Sequence, residues 1–288
     1  MSIFYKALEY ALMALELPDI RQLLLECPRE TLPQTFERIQ QIKNELWLSC
    51  FRSVNRDTEL RMQSEQGQGF SVEIVQGNFR QSLSEFLAPE FSFHSSGHLI
   101  GTNDAKGSFL RGLDEACCNF DTRSVNLTNS VITELALVPV VLHEVGHSHQ
   151  EVGTRNFRTP GQVLRSFVRN VIRQLFSLHR AEIRRSPLPP LRNFAPLKVL
   201  SSVHSAEAIH ERDAWDRAKK TMDVLSSRGF DVWGAFPGDA FSDMAEVSLF
   251  DHDVEHFEQL YVSGGKKAVE NAEPVYLPER GKYARTCK

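Results

Sequence analysis

The chain has 288 residues, 41% hydrophobic and 24% charged, with a net charge of -4. That is the make-up of one large globular domain, or a core domain with an accessory region. It gives no electrostatic footprint for a nucleic-acid partner. MSIFYKALEYAL lacks the basic start and unbroken apolar run of a signal peptide, and no apolar stretch reaches the ~18 residues of a membrane span. Five cysteines, two of them adjacent at Cys117 and Cys118 and none in a CxxC pair, point to reduced thiols in a cytoplasmic protein rather than a disulfide framework.

Residues 1–66 read as an N-terminal helical region. Tyr5, Leu8, Ala11, Leu12 and Leu15 recur at helical spacing, and so do Phe36, Ile39, Ile42 and Leu46, with Pro28 and Pro33 between the two runs. The polar run 64–69 suggests a boundary, placing a second domain at 67–263. FSVEIV (70–75) alternates and predicts a strand, and Asn78 is placed to cap a short helix through about Phe86. FSFH (91–94) and HLIGT (98–102) predict a hairpin across SSG. CCNFD and RSVNL (117–127) are weaker strand candidates. Helical pattern returns at about Ser130, with Pro139 near its start and Gly153 near its end.

Residues 161–185 form an amphipathic insert. Leu164, Phe167, Val168, Val171, Leu175 and Phe176 run along one side; Arg165, Arg169 and Arg173 run down another. The stripe suits a lid or packing helix over a cleft. A peripheral membrane contact is the alternative use of the same residues. Further helices are predicted at about 203–227 and 242–262, and the polar segment 264–288 reads as a mobile tail. Residues 151–198 hold 10 Lys/Arg against 2 Asp/Glu, or +8, and residues 199–260 hold 5 against 13, or -8. The two segments are expected to attract each other across a cleft. Nothing in the sequence sets the oligomeric state.

The chemistry concentrates in VVLHEVGHSHQ (140–150). His143 and His147 are four residues apart, so on a helix they point the same way and their imidazoles can share one Zn2+. Glu144 lies about 100° round the helix from His143, beside the metal rather than on it, where a general base is needed. Gly146 leaves room on the metal side. His149 lies about 200° round from His147 and is excluded as the third ligand.

That ligand is sought in HSAEAIHERDAWDRAKKTM (204–222). One face reads Glu207, Ala208, Glu211, Ala214, Trp215, Ala218, Met222. A carboxylate on a buried apolar face requires a partner or a metal, and Glu211 is the better enclosed of the two. The alanines around it permit close approach to the 143–147 helix. Glu207 is the alternative ligand, and a salt bridge to an arginine of the basic insert is the alternative use of Glu211. His204 and His210 flank the site as alternative ligands or hydrogen-bonding neighbours.

HEVGH followed by a helix bearing E-x-D-A-W-x-x-A resembles the gluzincin-like zinc metallopeptidases, in style the bacterial ImmA/IrrE-type proteins. The resemblance implies an α+β fold, a zincin-like core with a small, mainly antiparallel sheet and an active-site helix. It also implies His143, His147 and Glu211 on zinc, Glu144 as base, and a peptide or protein substrate. An extended peptide could add to the FSVEIV or RSVNL strand. A non-catalytic scaffold of the same shape, binding a protein partner, is the competing expectation.

Overall fold

The computed structural model describes residues 17–52, 58–65, 69–95, 117–119, 122–127, 138–150, 160–189, 195–236 and 240–277. Over these the fold is α+β. Helix α1 (Ile20–Glu26) begins where the Asp19 carboxylate accepts from the Gln22 N–H. A 3-10 turn (Arg29–Thr31) follows Pro28 and leads into α2 (Leu32–Arg52). Strands β1 (Thr58–Glu65) and β2 (Gly69–Gln76) form an antiparallel pair in register from Thr58↔Gln76 to Glu65↔Gly69. The boundary expected near residue 66 therefore falls inside a strand pair, and residues 58–65 are not helical.

Asn78 does not cap a helix. Gln76 pairs with Phe79, so Gly77 and Asn78 make a two-residue hairpin turn into β3 (Phe79–Ser82). Gly77 has φ +55°, the conformation that such a turn asks of its first residue. Only residues 83–86 are then helical, as a 3-10 turn capped by Ser82. Strand β4 (Ser92–Ser95), β5 (Cys117–Asn119) and β6 (Ser124–Leu127) complete the sheet. Its order is β1-β2-β4-β6-β5, with β3 also on β2. The β4–β6 pair is parallel and the other pairs are antiparallel. The HLIGT segment lies outside the described residues, as do 130–137 and Gly153.

Helix α3 (Val138–Ser148) is short and almost wholly buried. It packs on α5 (Leu197–Ser227), which starts after Pro196 and ends in a glycine stop. There Gly229 (φ +102°) donates to the Ser226 carbonyl and Phe230 to the Leu225 carbonyl. Helix α4 (Pro160–Arg185) lies against α2 and α5. After a short α6 (Val232–Ala235), helix α7 (Ala240–Gly264) runs through the centre, touching α1, α2, α3 and α5. The N-terminal helices thus share one core with the rest: Leu24, Phe36 and Ile39 are as buried as Trp215 and Val254.

Residues 265–277 are not a mobile tail. Helix α8 (Lys266–Glu270) packs on α7 and α1. Beyond it the Asp253 carboxylate accepts from the backbone N–H groups of Val275, Tyr276 and Leu277 at 2.6–3.0 Å, and Tyr276 is fully buried. Among the described residues no helix is long and apolar enough to cross a membrane.

Candidate metal centre

Val138, Val140, Val141, Leu142 and Val145 bury most of α3 and leave one side for its two histidines. The Nε2 atoms of His143 and His147 converge to 3.0 Å. From α5, Glu211 Oε2 lies 3.1 Å from His143 Nε2 and 3.4 Å from His147 Nε2. All three side chains are nearly buried. A tetrahedral zinc with ligand bonds of ~2.05 Å has donor–donor edges of about 3.3 Å, close to these three separations. Glu144 completes a cluster with the two histidines, its ligand atom within 4.8 Å of theirs.

The close approach of α3 and α5 sets these distances. Gly146 faces the α5 backbone: a Cβ there would lie 2.5 Å from the Ala214 carbonyl oxygen. The room that glycine leaves is taken by the neighbouring helix, not by the metal side. The Trp215 ring stacks on His143, with centroids 4.6 Å apart.

The tautomer of His147 is fixed one layer out. The Gln150 side-chain NH2 donates to the His210 carbonyl and the Asp213 carboxylate at 2.6 and 3.2 Å. Both are acceptors, so Gln150 Oε1 must be the atom facing His147 Nδ1, 2.9 Å away. His147 therefore carries its proton on Nδ1 and, when neutral, turns a bare Nε2 lone pair to the cluster, the form a metal requires.

Burial and neighbouring charges set the protonation of the four groups in opposite directions. Burial and the charge of His147 hold His143 down at about 4. Burial also opposes charging of His147, but the Glu211 carboxylate outweighs it and raises that imidazole to about 9. Glu211 is desolvated too, yet His147 and His252 keep its carboxyl well below the usual range. Burial pushes Glu144 up to about 7, and its Oε2 accepts from the Cys118 N–H at 2.6 Å.

The chain was compared with protein-family models, curated proteins and solved structures, and none of them matches it.

The structure separates the two glutamates of α5. Glu211 meets the histidines, while Glu207, one turn earlier, is bound by Arg169 at 3.1 Å and Arg173 at 2.9 Å. The salt bridge considered for Glu211 belongs to Glu207, which is no metal ligand here. His204 is also elsewhere, buried between the Tyr276 hydroxyl and Gln259 Oε1 at 3.0 Å each. The His210 side chain is exposed, and only its carbonyl serves the site, through Gln150. His149 turns away to the Phe86 carbonyl.

His252 was not anticipated. Its Nε2 lies 3.6 Å from Glu211 Oε2, and its ring stacks on Tyr276 at 4.9 Å. The signal for it was the run DHDVEHFEQ (251–259), polar and acidic residues inside a helix that is otherwise core. The expected peptide-holding strands are both internal among the described residues: β2 lies between β1 and β3/β4, and β6 between β4 and β5. Among the described residues strand β5 ends the sheet, next to Glu144.

Proposed function

We propose that the chain is a zinc-dependent peptidase with a zincin-like core, as the resemblance to ImmA/IrrE-type proteins implies. The observation that carries this is the convergence of His143 Nε2, His147 Nε2 and Glu211 Oε2 within 3.0–3.4 Å, with the Glu144 carboxyl beside them. Three protein ligands leave a tetrahedral ion one open position, the mark of a catalytic site. When bound, zinc supplies Lewis-acid polarisation of the scissile carbonyl and acidifies a water.

The protein's own groups do the rest. The Cys118 N–H holds Glu144 through Oε2, leaving Oε1 to take the proton of the attacking water and deliver it to the departing amine. Gln150 holds His147 in the ligand tautomer. Among the described residues strand β5 ends the sheet on the side of Glu144, so a peptide adding to that edge would run past the base.

One observation favours a second reading. With His252 only 3.6 Å from Glu211 Oε2, a fourth protein ligand would close the site and make it structural, as in a non-catalytic scaffold. The Glu144→Gln variant tests the peptidase reading. It should keep about one zinc per chain and lose at least the ~10²–10⁴-fold that a positioned base contributes to hydrolysis; a substrate can be sought by trapping proteins on this variant. Cleavage at the wild-type rate would sink the mechanism. In the closed-site reading His252→Ala loses the metal, whereas in the open-site reading it keeps it.

A further inference from the structure

Helix α4 splits the apolar side read from its sequence: Val168 and Phe176 turn to the core, while Leu164, Phe167, Val171 and Leu175 stay outside. Its arginines turn into the protein: Arg169 and Arg173 to Glu207, Arg173 also to Glu255 at 3.7 Å, and Arg180 to Glu258 at 3.1 Å. Ile172, Phe176 and Ile183 join them inside. Leu164, Phe167, Val171, Leu175 and Leu178 are left outside, with exposures of 61, 65, 36, 43 and 71%. At 3.6 residues per turn these five fall within about 80° of the helix surface and span ~21 Å of its length. They present on the order of 500 Å² of apolar surface, taking ~150–250 Å² for a large side chain. That is as large as the largest patch on a typical monomer.

We infer that this stripe is the interface of a two-fold homodimer. The stripe is symmetric about Val171: Leu164 and Leu178 lie seven residues to either side of it, Phe167 and Leu175 four residues to either side. Two copies of α4 laid antiparallel across an axis at Val171 therefore match Leu164 to the partner's Leu178, Phe167 to the partner's Leu175, and Val171 to itself. Self-complementarity is what a two-fold interface requires of one surface. The small Val171 at the axis lets the helices approach closely. Two stripes together bring at most about 1,000 Å², the threshold for a specific interface, to which a polar rim adds.

A membrane surface suits the stripe less well. A helix lying on a membrane needs its cations along the apolar face to meet headgroups; here Arg169, Arg173 and Arg180 are spent on internal carboxylates, and the exposed Arg184 and Arg185 stand only at the last turn. The chain as a whole is also negative, at -4.

The test uses the full chain. Light scattering on a sizing column should give twice the 32.8 kDa protomer mass at micromolar concentration. Phe167→Glu and Leu178→Lys should each shift the protein to the monomer, with circular dichroism and melting temperature near wild type because both positions are exposed. Val171→Cys should form an intermolecular disulfide under mild oxidant that the wild type, with its native cysteines, does not form. A wild-type protein that is monomeric at 100 µM would overturn the proposal, as would a dimer indifferent to both charge substitutions or a Val171→Cys protein that never cross-links. Co-sedimentation of a monomeric wild type with phosphatidylcholine/phosphatidylserine vesicles, abolished by Phe167→Glu, would assign the stripe to lipid instead.

Discussion

Gly146 and Ala214 bring two helices together backbone to backbone, with no room for a side chain between them. Replacing a helical glycine by alanine ordinarily stabilises a helix by about 1 kcal/mol. Here the sign reverses. Gly146→Ala must push α3 off α5, and overpacking of this kind costs about 1–3 kcal/mol. The same displacement pulls His143 and His147 away from Glu211. The variant should show both a lower denaturation midpoint and a weaker hold on zinc. Raised stability with zinc retained would mean that the contact is not needed.

The two glutamates of α5 should separate cleanly on substitution. His143→Ala, His147→Ala and Glu211→Ala should each lose most of the zinc measured by elemental analysis. Glu207→Ala should keep it, since that carboxylate holds Arg169 and Arg173 rather than the cluster. Its cost should appear as stability, about 1–3 kcal/mol, because the carboxylate is buried while both arginines are partly solvated. Zinc loss in Glu207→Ala equal to that in Glu211→Ala would contradict the assignment.

Gln150 should matter to the metal without touching it. Removing the acceptor that fixes the His147 tautomer should weaken zinc by about 10–100-fold, the usual effect of such supporting groups. Chelator competition on Gln150→Ala measures this. Gln150→Glu keeps an acceptor for His147 Nδ1 but turns its second oxygen against the His210 carbonyl and the Asp213 carboxylate, so it should not restore wild-type affinity. Unchanged affinity in Gln150→Ala would show that the tautomer is set elsewhere.

The acid limb of stability should depend on His256. Burial, with the charge of His204 beside it, holds its imidazole at about 3, against 6.5 for the free group. Below pH 6.5 the unfolded chain binds a proton that the folded one refuses, so stability falls as pH drops from 6.5 toward 3. The slope from this group is about 1.4 kcal/mol per pH unit. Its Nδ1 is buried without a hydrogen-bond partner, so His256→Phe leaves no group stranded at that atom. Urea midpoints between pH 7 and 4 should decline less steeply in His256→Phe. An identical slope in both proteins would show that this imidazole does not drive the acid loss.

Much of the site was legible because helix periodicity is local. The i, i+4 histidines, the position of Glu144 and the enclosed Glu211 follow from 3.6 residues per turn and the cost of burying a carboxylate. Partner choice was not local. Glu207 and Glu211 lie on the same apolar face, and only the packing of α4 decides which one meets arginine. His252 comes from a helix 41 residues beyond Glu211, so no spacing within one element could reveal it. The orientation of α4 misled for a related reason. Apolar side chains normally turn inward, but the carboxylates of α5 and α7 draw the arginines in, and only Val168 and Phe176 of the expected apolar stripe turn with them. At Gly77–Asn78 the helix-capping reading of Asn78 competed with hairpin chemistry, and β2 supplied the strand that decided it.

The Asp253 clamp has a consequence for the order in which the molecule is completed. A ribosome delivers Asp253 22–24 residues before the three N–H groups that it gathers from Val275, Tyr276 and Leu277. Until they emerge, this carboxylate has no backbone donors from that segment and His252 lacks the ring it stacks on. A nascent chain can thus carry every residue of the histidine–glutamate cluster while the wall behind His252 is still missing. That wall closes only when Tyr276 has been synthesised, so the segment after α8 is part of what the site needs.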